Sequence, residues 1–86
     1  MDINQLSEIV KKKVLDNELI EEIELIDKSF LHKTHKNNNP NKFHIQIKIK
    51  SEKLKNMNQI ESNRFIFRLL DKEMKEYIHS LQILFF

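Results

Sequence analysis

The chain has 86 residues, which we read as a single small domain, 1–86, whose core hides only about 60% of the surface the unfolded chain exposes. It has no cysteine, four histidines and a net charge of +2, so it can build neither a disulfide framework nor a self-sufficient zinc or iron-sulfur cage, and imidazoles are its only soft ligands. No run approaches the ~20 apolar residues of a membrane span. Met1-Asp2-Ile3-Asn4-Gln5 lacks both the apolar core of a signal peptide and the Arg-rich pattern of a transit peptide, so we expect a cytoplasmic protein without a membrane partner.

Leu6, Ile9, Val10 and Val14 recur at helical spacing, and Asp2 followed by Gln5 fits a capping box, which predicts a first helix over 3–16. The pattern then becomes Glu22-Ile23-Glu24-Leu25, apolar at every second position, predicting a strand over 20–27 with one charged face. A loop over 30–43 follows, too long for a tight hairpin, with His32, His35, Asn37-Asn38-Asn39 and the only proline. The strongest alternation is His44-Ile45-Gln46-Ile47-Lys48-Ile49-Lys50, a strand that sends its isoleucines one way and Gln46, Lys48 and Lys50 the other.

Asn58 with Glu61 three residues on predicts a helix over 59–70, with Ile60, Phe67 and Leu70 as an apolar stripe beside Ile66 and Arg64, and Phe67 in the core. Asp71 is expected to cap a third helix that runs through Met74 and Ile78 to His79. Leu81, Ile83 and Phe85 then alternate with Gln82 and Leu84 in a last strand, so the order is α-β-β-α-α-β. Residues 16–27 carry six acids and no lysine, whereas 33–55 carry seven lysines against Glu52 alone. Pairing of the first two strands accounts for much of this sorting, because Glu22 and Glu24 then neighbour Lys48 and Lys50.

Four segments taken together resemble the BolA family: Asp27-Lys28-Ser29-Phe30-Leu31-His32 ahead of the loop, His44 to Ser51, then Arg64 and Phe67, then Ile78-His79-Ser80-Leu81. The last three align without a gap, and the likeness spans roughly residues 5–85. Leu54-Lys55-Asn56 departs from the family's Phe-x-Gly, Ser62-Asn63-Arg64 departs from its Arg-His-Arg, and the usual further C-terminal helix has no counterpart.

The resemblance implies a KH-like (class II) α+β fold with a three-stranded mixed sheet packed by helices. It also implies a partner, a monothiol glutaredoxin with its glutathione, with which BolA-like proteins bridge a [2Fe-2S] cluster in iron regulation or cluster trafficking. On that reading the chain is a monomer alone and a heterodimer in the complex, holds no cofactor by itself and is not an enzyme. One iron is then held by the partner's thiolates and the other by this chain, which has only histidine to offer. His79 is the first expected ligand, at the matching family position, and His32 the second; His35 and His44 are the alternatives. Arg64, Ser80 and Leu81 are the expected partner contacts.

Each residue also has a plainer role. A histidine in the last turn of a helix is favoured by the helix dipole alone, and His44 on the polar face of its strand can serve structure. The competing functions are nucleic-acid binding, as proposed for bacterial BolA-like regulators, through Lys48, Lys50, Arg64 and Arg68, and an adaptor that docks on glutaredoxin without supplying ligands. RNA clamping of the KH type needs a Gly-x-x-Gly loop, and the chain has no glycine. Catalysis is not expected, because nothing offers a nucleophile with an adjacent base, no carboxylate pair stands in a visible apolar pocket and no phosphate-cradling glycine loop is present.

Overall fold

The structure, a computed structural model, describes residues 2–29 and 42–86. Helix α1 (Ile3–Leu15) opens on the expected capping box. Asp2 Oδ1 accepts from the Gln5 N–H at 2.8 Å, and Gln5 Oε1 accepts from the Asp2 N–H at 3.0 Å, so two donors at the helix start are satisfied reciprocally. One face of α1 buries Leu6, Val10 and Val14.

Strands β1 (Glu22–Asp27) and β2 (Phe43–Lys50) pair antiparallel, and β2 pairs parallel with β3 (Ile78–Phe85), giving the sheet order β1-β2-β3. The expected mixed sheet and chain order are present. Ile45, Ile47 and Ile49 form the sheet side of one core, buried against Leu6, Val10 and Val14 of α1 and against the later helices. On the opposite sheet face Glu22 lies across from Lys50 and Glu24 from Lys48, the neighbours expected from the sorted charges.

A short helix that the sequence reading did not include, α2 (Glu52–Asn56), follows β2. Ser51, taken above as the end of the strand motif, is its N-cap: Ser51 Oγ accepts from the Leu54 N–H at 3.3 Å, and Leu54 is buried. Serine followed by an acid in the first turn is the signal that would have found it.

Helix α3 (Gln59–Leu69) is capped by Asn58, as expected, but it buries a different face. Ser62, Ile66 and Leu70 are buried, whereas Ile60 is 67% and Phe67 37% exposed. Apolar residues occur on several sides of this helix, and the small Ser62, with its hydroxyl turned back onto the Gln59 carbonyl at 3.1 Å, marks the side that approaches the core. Phe67 is therefore not a core residue.

Helix α4 (Asp71–Glu76) also departs from expectation. Leu70 occupies its N-cap, no side chain caps it, and it stops three residues before His79, which stands in β3. The dipole argument for His79 lapses with that placement. A half-buried ion pair ties α4 back to α1: Lys13 Nζ, itself partly exposed, reaches the two carboxylate oxygens of the buried Glu73 at 2.5 and 2.7 Å. Among the described residues no helix is long and apolar enough to cross a membrane.

Candidate functional site

The site lies where β2 and β3 begin, and a register shift builds it. Phe43 pairs with Ile78, but the next residue of β2, His44, pairs with Ser80, so His79 is the extra residue of a bulge. In an unbroken strand Ile78 and Ser80 would share a face and Leu81 would point the other way. With the insertion, Ile78 stays buried and Leu81 still packs against the core, while His79 and Ser80 are both exposed. The inserted residue thus turns Ser80 outward beside His79 and returns Leu81 to the core face.

His44 is held from both sides. Its N–H donates to Ser29 Oγ at 3.1 Å, and its carbonyl accepts from the Lys28 N–H at 2.7 Å. Ser29 is in turn set by its own N–H, which donates to Asp27 Oδ1 at 2.9 Å in an Asx-type turn. The acidic-x-Ser segment noted in the sequence is therefore a clamp on the main chain of β2. On the other side His44 Nδ1 lies 2.7 Å from Ser80 Oγ, and the His44 ring centroid is 4.8 Å from that of His79 at an interplanar angle of 54°.

Strand alternation puts His44 on the face of Gln46 and Lys48, and it is there, yet only 5% of it is exposed. The Ser80 hydroxyl and the His79 ring both lie against this buried ring. Next to the pair is a cleft of about 320 Å³ whose walls include Lys28, His44, Gln46, Ser80 and Gln82, with Gln46 donating to Gln82 across the strands at 3.0 Å.

The structure therefore brings together His79, His44, Ser80 and Leu81. His32 and His35 lie outside the described residues. Arg64 stands apart on α3, exposed and 3.9 Å from Glu61, and the cleft beside it is lined by Gln59, Ile60, Asn63 and Phe67. Arg68 is exposed on the same helix. Lys48 and Lys50 face Glu24 and Glu22 across the β1–β2 ladder, so their positive charge is locally opposed.

The contact between Ser80 and His44 corrects one expectation: a hydroxyl does stand beside an imidazole, between residues 36 positions apart in the chain. Acyl-transfer chemistry would also need donors aimed at a developing oxyanion. What the contact does in this fold is fix the orientation of a buried ring. Whether Nδ1 donates or accepts in this bond follows from the tautomer of the His44 ring.

The sequence profile of the BolA-like protein family matches residues 15–86, the whole sheet and the bulge included. The chain belongs to the BolA-like family. Among solved structures, this BolA-like chain is similar to the BolA domain of SufE1 from Arabidopsis thaliana, with a TM-score of 0.75 and 22% identity over 99% of this chain and 92% of that one. It is also similar to BolA1 from Arabidopsis thaliana, with a TM-score of 0.73 and 25% identity over 91% of this chain and 86% of the other. No curated protein sequence matches it. The fold shared with these BolA neighbours is the mixed sheet packed by helices described above, the expected α-β-β-α-α-β order with the short α2 added after β2.

Proposed function

We propose that this BolA-like chain is a non-catalytic partner of a monothiol glutaredoxin and contributes histidine to a [2Fe-2S] cluster shared with that partner and its glutathione, in iron regulation or cluster trafficking. The observation that carries the reading is the placement of His79: an exposed imidazole on a bulge, backed by a buried one, where a docked protein can reach it. The donor set fits such a group, since this chain has no cysteine to offer an iron and the two imidazoles stand at the surface-facing bulge.

His79 is the ligand in this reading and His32 the second. His44 acts as the residue that holds His79 in place, and it is the alternative ligand already within ring contact. Ser80 and Leu81, which line the adjoining cleft, are the contacts for the partner. A cluster ligated by imidazole at one iron has a higher reduction potential than an all-thiolate one, and its binding weakens where histidine becomes protonated.

The test is anaerobic reconstitution with a monothiol glutaredoxin and glutathione, followed by visible circular dichroism. Wild-type protein is expected to give a spectrum distinct from that of glutaredoxin alone, and His79→Ala to lose it. His32→Ala and His44→Ala rank the second position: the ligand variant loses the heterodimer spectrum, and the other retains it in weakened form. A spectrum unchanged from glutaredoxin alone at excess protein would overturn the proposal. A complex that forms without any cluster signal would leave docking alone as the function.

A further inference from the structure

The two edges of the sheet differ in chemistry. β1 carries Glu22, Glu24 and Asp27, whereas β3 from Ser80 to Phe86 has no charged residue and no proline. Natural edge strands are usually blunted by charge, proline or a bulge, because their unpaired main-chain groups invite another strand. The only register irregularity in the β2–β3 pairing lies at its start, and from His44–Ser80 to Ile49–Phe85 the register is regular, so this edge is straight where it is apolar.

Its main-chain polarity follows from one bond. The Phe86 N–H donates to the Ile49 carbonyl at 3.0 Å, and successive residues of a strand turn their N–H and C=O to opposite sides. Ser80, Gln82, Leu84 and Phe86 therefore turn these groups to β2, and Leu81, Ile83 and Phe85 turn theirs to the edge that no strand pairs among the described residues. Beside them on the outer face stand Leu84, 40% exposed, and Phe86, 51% exposed.

We propose that the β3 edge is a strand-addition interface whose occupant is a second copy of this chain, joined by antiparallel pairing of β3 with β3 about a two-fold axis at Ile83. This departs from the free monomer expected from the sequence. Such an axis sets Ile83 against its own mate and Leu81 against Phe85 in both directions, and these are the residues whose main-chain groups point outward, so each pair can exchange both its hydrogen bonds. On the outer face Gln82 then lies opposite Leu84 of the second copy, and Ser80 opposite Phe86.

No charge meets a like charge in this register, whereas β1 paired with itself would set acid beside acid. Pairing β1 of one copy with β3 of another would be head-to-tail and would not close, while β3 with β3 consumes the apolar edge in a closed dimer with one continuous sheet.

The test is sedimentation equilibrium of the full chain over a concentration series, with far-ultraviolet circular dichroism to show that each variant is folded. Wild-type protein is expected to pass from monomer to dimer mass. The double variant Gln82→Lys with Leu84→Lys puts lysine opposite lysine in the proposed register, and Gln82→Glu with Leu84→Glu does the same with acids, so each alone is expected to stay monomeric. Mixed in equal amounts, the two are expected to restore the dimer. Both positions are exposed, and a synthetic chain with N-methylated Ile83, which loses an outward donor without touching β2, gives a second route to the same loss. Wild-type protein that stays monomeric to millimolar concentration overturns the proposal; so does a dimer that survives either double variant or N-methylation, or a mixture that fails to recover it.

Discussion

The two ends of the β2–β3 ladder are made of the same kind of alternating sequence and behave differently. At the far end, Lys48 and Ile49 against Leu84 and Phe85, the register is regular, Ile49 goes inward, Lys48 and Leu84 go outward, and no side chain needs a special position. At the near end one residue too many is threaded between Ile78 and Ser80. Two polar residues are pushed outward together, and a histidine on the nominal wet face is covered. Regular pairing builds the core, whereas the interruption of pairing builds a place where imidazoles gather.

The most direct way to break this contrast is to remove the bulge. Deleting His79 joins Ile78 to Ser80 and restores plain alternation, with Ile78 inward, Ser80 outward and Leu81 inward, so the heterodimer spectrum is expected to be lost entirely while stability in urea unfolding changes by less than about 1 kcal/mol. A deletion variant destabilised by the roughly 2–5 kcal/mol of a lost buried isoleucine would mean that the bulge is needed to seat Ile78. His44→Ala comes next, at about 1–3 kcal/mol, because it empties a buried position and removes a hydrogen bond; Ser80→Ala, which leaves the ring in place, is expected to cost about 0.5–1.5 kcal/mol. If Ser80→Ala costs more than His44→Ala, the hydroxyl is serving something other than the ring.

His79→Ala should then change stability by less than about 0.5 kcal/mol, since its side chain is exposed, while removing the heterodimer signal described above. Unequal effects on folding and on cluster binding separate a ligand from a structural residue. At the regular end the smallest effect is expected: Glu24→Lys, which sets lysine opposite Lys48, should cost roughly 0.2–1 kcal/mol and should recover as salt is raised. A penalty insensitive to salt would assign Glu24 a packing role instead.

The contrast also explains what was legible in advance. The alternation of β2, the capping box of α1 and the Asn58 cap are local patterns, and each was readable because periodicity and capping depend only on neighbours in the chain. α2 was readable too, from Ser51 and Glu52, but Ser51 had been absorbed into a strand motif. Ile60 and Phe67 could not be sorted from Ile66 by spacing, because a helix with apolar residues on several sides acquires its inward face from what it packs against. The pair formed by Lys13 and Glu73 was invisible for the same reason: two charged residues far apart in sequence carry no signal of their meeting.

Local pattern in the sequence set the class of fold, the order of most elements, the inward row of Ile45, Ile47 and Ile49 and, through the absence of cysteine, that this chain offers a metal no thiolate. Tertiary structure alone decided that His79 belongs to a strand and not to a helix end, that His44 is buried on a polar face, and that Ser80 meets it at 2.7 Å. The reason is that β2 and β3 pair in parallel across three intervening helices, so their register answers to the packing of Ile78 and Leu81 in the core and not to any pattern within either strand.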